Sequence, residues 1–89
     1  MDTIVKRKYN YSPMEQRILA AIPEDGSKIH TLDIVDIIYE NPPRNGRQSI
    51  ITSINSLIFK SDENMEEWEI FKSKQRGPQP SYFWRKTRE

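Results

Sequence analysis

The stretch Arg44-Asn45-Gly46-Arg47-Gln48-Ser49-Ile50-Ile51-Thr52-Ser53-Ile54-Asn55-Ser56-Leu57-Ile58-Phe59-Lys60 decides how this chain is read. Ile50, Ile51, Ile54, Leu57 and Ile58 recur at the spacing of one helical face, so the segment has a buried side. The outward azimuths hold Gln48, Ser49, Thr52, Asn55 and Ser56, all uncharged hydrogen-bonding residues in place of the Glu and Lys mixture that supports a solvated helix. That composition suits a contact surface. Asn45 is expected to cap the helix, with Gln48 reaching back in a capping box, which sets Arg44 and Arg47 at the N-terminal end where phosphate is also favoured.

The rest of the chain must supply a core for this helix. Its 89 residues make one domain, and a chain of that length buries only roughly 60–65% of its unfolded surface. With no cysteine there is neither a disulfide nor a thiolate metal site to help. No apolar run approaches the length of a membrane span, and Met1 to Lys8 lacks the apolar stretch of a signal peptide. The expectation is a cytosolic protein.

The net charge of +1 conceals a strong segregation along the chain. Residues 1–11 carry +2, residues 12–43 carry −4, residues 44–60 carry +3, residues 61–69 carry −5 and residues 70–89 carry +5. If folding gathers the three basic blocks on one side, that side binds anions. Chance clustering in a charge-rich chain is the alternative.

Read outward from the central helix, residues 1–11 form a basic arm with Lys6, Arg7 and Lys8, loosely ordered at its start, with Tyr9 and Tyr11 placed to pack back. Ser12-Pro13-Met14-Glu15 is a helix start, because Ser12 caps, Pro13 suits the first helical position and Glu15 completes a capping box. Met14, Ile18, Leu19 and Ile22 give one stripe, and the helix should stop near Pro23, before a turn at Glu24-Asp25-Gly26. Ile29 suits a brief strand. A second helix, expected to be capped by Thr31, should bury Leu32, Ile34, Val35, Ile37 and Ile38 and expose Asp33, Asp36 and Glu40. Pro42 and Pro43 end it.

Beyond the central helix, Ser61 to Glu67 reads as an acidic loop. Extended chain follows, with Trp68, Ile70 and Lys72 on one face and Glu69, Phe71 and Ser73 on the other. Gln75 to Pro80 is a turn-forming loop and Ser81 to Lys86 a second aromatic strand, so residues 68–86 are expected to form a hairpin with a basic tip at Lys74 and Arg76. Trp68, Tyr82 and Trp84 are the expected core residues, since each large side chain buried is worth roughly 1.5–3 kcal/mol. Phe83 then falls on the opposite strand face, and Phe59 on the outward face of the central helix.

Helix, short strand, helix, turn, helix and basic-tipped hairpin: this order resembles the winged-helix family of helix-turn-helix domains over Ser12 to Lys86, and the compact size is similar to small phage or plasmid regulators. The resemblance implies an α+β fold, a three-helix bundle with a short strand and a C-terminal β-hairpin wing, with residues 87–89 as a tail. It also implies that the third helix lies in the DNA major groove and the wing on the backbone or minor groove. Carried over by position, Arg44, Arg47, Gln48, Ser49, Thr52 and Asn55 belong to the recognition helix, and Lys74, Arg76 and Gln79 to the wing. Gly77-Pro78-Gln79-Pro80 followed by Trp84 is also similar to the wing of the Z-nucleic-acid-binding winged helices. Those read their ligand with an asparagine and a tyrosine one turn apart on the third helix, and this sequence has no tyrosine there.

Within the central helix, Gln48 and Thr52 suit base edges, glutamine because it pairs bidentately with adenine and threonine because it offers a hydroxyl and a methyl. Arg47 lies toward the apolar stripe, so it either emerges below the core to reach phosphate or pairs with a carboxylate of the second helix. His30 has no cysteine beside it and reads as a turn or helix-start residue. No Gly-rich phosphate loop or catalytic constellation appears, so no enzyme, metal or cofactor is expected. The expected function is double-stranded DNA binding in transcription regulation, as a homodimer or with a protein partner. The alternative is a winged-helix protein-interaction module, or a small inhibitor of a nucleic-acid enzyme, working through its acidic segments.

Overall fold

The structure, a computed structural model, describes residues 8–73 and 82–88. Three helices and a small antiparallel sheet follow one another as α1 (Pro13–Ala21), β1 (Ile29–His30), α2 (Thr31–Ile38), α3 (Gly46–Glu63), β2 (Trp68–Lys72) and β3 (Tyr82–Thr87). The protein is therefore α+β. Among the described residues, no helix is long and apolar enough to cross a membrane.

The start of α1 follows from its sequence. Ser12 is the N-cap, its hydroxyl accepts from the Glu15 backbone N–H, and the Glu15 carboxylate accepts from the Ser12 N–H, which completes the capping box. After Ile22 the chain turns through Gly26 at φ +86°, a left-handed conformation that favours glycine.

Two other caps differ from expectation. The N-cap of α2 is His30, whose Nδ1 accepts from Leu32 N–H at 3.1 Å, while Thr31 is the first helical residue and fully buried. Asn45 precedes α3 at φ −97° and ψ 18°, a backbone unlike that of a side-chain cap, and makes no capping bond. The capping box with Gln48 is absent, and Gln48 Nε2 instead donates to Thr52 Oγ1 at 3.4 Å.

Helix α3 is longer than expected, because Ser61, Asp62 and Glu63 continue it where an acidic loop was anticipated. It ends in a Schellman turn: Met65 N–H donates to the Asp62 carbonyl, Glu66 N–H donates to the Ser61 carbonyl, and Met65 takes φ 56°.

The core joins Ile18 and Ile22 of the α1 region, Ile34, Val35 and Ile38 of α2, and Ile50, Ile51, Ile54 and Leu57 of α3 to Ile70 and Phe83 of the sheet. Leu32 and Ile37 are left out, 50% and 57% exposed, because an eight-residue helix presents only a narrow stripe to a core this small.

The sheet has the order β1-β3-β2. Ile29 pairs with Phe83 and His30 with Tyr82, while Ile70 pairs with Arg85, Phe71 with Trp84 and Lys72 with Phe83. This register reverses the expected faces of β3. Phe83 is wholly buried against the helices, whereas Tyr82 is 42% exposed and Trp84 half-buried on the outer face. Arg85 occupies the other inner position, where its guanidinium lies over the half-buried Trp68 and pairs with Glu24 at 3.0 Å.

Candidate functional site

The exposed side of the N-terminal half of α3 carries the residues singled out by sequence. Arg44 lies in the turn before the helix, and Arg44, Arg47, Gln48, Thr52 and Asn55 are all exposed, with Ser49 half-buried at their edge. Gln48, Thr52 and Asn55 follow at intervals of four and three, so they share one face. Gly46 closes the approach: it is buried beneath Pro43, Tyr39 and Val35, which sets the start of α3 close against the end of α2. Arg47 projects outward despite its azimuth, because the core stops at Ile50 and the first turn extends past it. It forms no ion pair with a carboxylate of α2, and neither Arg44 nor Arg47 has an ion-pair partner among the described residues. The first turn of α3 holds no acidic residue.

Lys72, at the end of β2, donates from Nζ to Asn55 Oδ1 at 3.3 Å. The end of the strand pair is thereby drawn to the exposed face of α3. Lys74, Arg76 and Gln79 lie outside the described residues.

Among the described residues, folding pairs four charges of the basic blocks internally, each with a carboxylate distant in sequence. Lys60 bonds to Glu15 at 2.6 Å, Lys8 to Glu63 at 2.9 Å, Arg85 to Glu24, and Arg88 to Asp62. Much of the acidic segment 61–67 is thus engaged: Tyr11 Oη also donates to Glu66. Burial pushes the Glu15 carboxyl up, but hydrogen bonds from Lys60 and the Ser12 backbone outweigh it and hold the group below its ordinary range. The side chain is almost wholly buried, with Oε1 taking both of those bonds.

The same end of α3 holds the arm. Tyr9 N–H donates to Asn64 Oδ1 at 2.8 Å, and Asn64 Nδ2 donates to the Tyr9 carbonyl at 2.9 Å and to Tyr11 Oη at 3.1 Å. The Tyr9 ring lies 5.5 Å from that of Phe59, so Phe59 packs on the arm. Residues 8–11 are therefore tied to the end of α3 opposite Arg47.

Sequence reading missed the outer face of the sheet. Phe71 and Trp84 stack there at 5.9 Å, and Lys28 Nζ lies 4.9 Å over the Trp84 ring. The signal was available in the pairing, since any register that places Phe83 inside turns Tyr82 and Trp84 out. Among the described residues, no cluster of side chains could hold a metal ion. No protein-family model matches the chain, and no curated protein or solved structure matches it.

Proposed function

We propose that this chain is a winged-helix domain that binds double-stranded DNA in transcription regulation. In this reading α3 enters the major groove, and the β2–β3 pair with its basic tip touches the backbone or minor groove. The observation that carries the reading is the exposed face of α3 from Arg44 to Asn55. It combines two arginines lacking ion-pair partners among the described residues with three neutral hydrogen-bonding side chains, and no acidic residue intervenes. Arg44 and Arg47 fit phosphate, while Gln48 and Thr52 fit base edges. Their mutual bond of 3.4 Å is long and is readily exchanged for bonds to a base. Lys74, Arg76 and Gln79 belong to the same reading as wing contacts. One copy offers a small interface, so useful specificity calls for a homodimer or a partner protein.

Selection of bound duplexes from a random library tests the reading. Gln48→Ala and Thr52→Ala should each change which sequences are recovered, whereas Arg47→Ala should weaken all duplexes alike. An unchanged preference in both helix variants would remove α3 from the reading role.

A second reading is a protein-interaction module, favoured by the exposure of Leu32 and Ile37 beside Asp33 and Asp36 on α2. Absence of duplex binding at low salt would turn the assignment to that surface.

A further inference from the structure

The outer face of the sheet is built unlike the rest of the surface. All three helices contribute to the core that covers the inner face with Ile70 and Phe83, while the register turns His30, Tyr82, Trp84 and Phe71 to the other side. Lys28, Trp84 and Phe71 form a continuous stack. The ammonium lies 4.9 Å from the Trp84 centroid, and the Phe71 ring is 5.9 Å away and inclined by only 13°. A lysine on a ring face and two nearly parallel rings are each stabilising arrangements, so the stack is held in place before any ligand arrives. Phe71 belongs to β2, the edge strand among the described residues, and its side chain remains exposed. His30 and Tyr82 meet edge to face at 5.0 Å beside this stack.

We propose that this face takes unpaired bases of single-stranded DNA, with a base extending the Lys28–Trp84–Phe71 stack from Phe71. The chemistry selects that occupant. Every apolar group on the described part of the face is an aromatic ring and none is aliphatic, so the face offers successive π-surfaces on which any base can stack. The charge is complementary to a phosphate chain: Lys28 and Lys86 flank the rings, and Glu69 sits opposite Lys86 as the acidic residue of the outward rows. Stacking is indifferent to base identity, so binding at this face carries little sequence preference. It uses a different surface from α3 and stands independently of the duplex reading.

Titrating the full-length protein with a labelled oligothymidylate of about 15 nucleotides at low salt tests the proposal. Phe71→Ala and Trp84→Ala should each weaken oligonucleotide binding roughly tenfold, and Phe71→Leu, which keeps apolar bulk without a ring, should weaken it similarly while the protein still unfolds cooperatively, only a few degrees lower for the lost ring contact. In a Trp68→Phe background the oligonucleotide should quench the remaining Trp84 fluorescence. Arg44→Ala with Arg47→Ala should leave this binding intact, which separates it from any duplex binding by α3. The proposal is overturned if the oligonucleotide does not bind, or if Phe71→Leu binds it as well as the unaltered protein. It is equally overturned if sedimentation shows a dimer that Phe71→Leu dissociates, because the face would then join two copies of the chain.

Discussion

Lys60 Nζ donates a 2.6 Å hydrogen bond to Glu15 Oε1, so the positive charge near the C-terminal end of α3 is held by the first turn of α1. The bond pins the two helices together at a point where the carboxylate is almost fully buried. Lys60 therefore belongs to the fold, which leaves Arg47 in α3 and Arg44 in the turn before it as the basic residues at the N-terminal end of the helix.

Replacing Lys60 by Met should destabilise the protein by about 3 kcal/mol, because the carboxylate would stay buried without its cation. In a domain whose whole stability is on the order of 5–10 kcal/mol this is a large fraction. Urea unfolding of Lys60→Met beside Glu15→Gln/Lys60→Met checks it: the double variant should recover part of the loss.

Acid should remove the contribution of Glu15. Its carboxyl titrates below its ordinary range in the folded protein, so it adds stability at pH above the unfolded value and loses that contribution as pH falls through the folded one. The difference in unfolding temperature between the unaltered protein and Glu15→Gln should be greatest near neutrality and shrink toward pH 3. A difference independent of pH would contradict the assignment.

Met65 closes α3 in a left-handed conformation at φ 56°, with its side chain almost fully exposed. Glycine adopts that backbone without the Cβ clash, so Met65→Gly should raise stability by about 0.5–1 kcal/mol. Thermal unfolding reads this directly.

The helices were legible in the sequence because their apolar residues recur at helical spacing and because Ser12, Pro13, Pro42 and Pro43 punctuate them. The face of β3 was not. Tyr82, Phe83, Trp84 and Arg85 alternate aromatic with aromatic, then with charge, and size alone favoured burying the tryptophan. What decides the face is long-range: Phe83 pairs with both Ile29 and Lys72 at the centre of the sheet, and Arg85 is tolerated inside because Glu24 and Trp68 receive it. The same limit applied to charge. The segregation along the chain suggested one basic side, but Lys8, Lys60, Arg85 and Arg88 each find a carboxylate distant in sequence. The exposed polar face of α3 was legible because Gln48, Thr52 and Asn55 share one helical azimuth.

Phe83→Ala should cost about 3–5 kcal/mol, while Trp84→Ala should cost about 1 kcal/mol. Denaturant unfolding of the two variants side by side separates the observed register from one slipped by a residue, which would reverse the order.

The central claim, that the exposed face of α3 binds duplex DNA, is tested most directly by a salt titration of duplex affinity. The unaltered protein should bind random duplex at low salt, with log affinity falling linearly against log salt concentration. Arg44→Ala/Arg47→Ala should make that slope shallower by about 2, one for each phosphate contact removed. An absence of binding at low salt, or a slope identical in the double variant, would contradict the account.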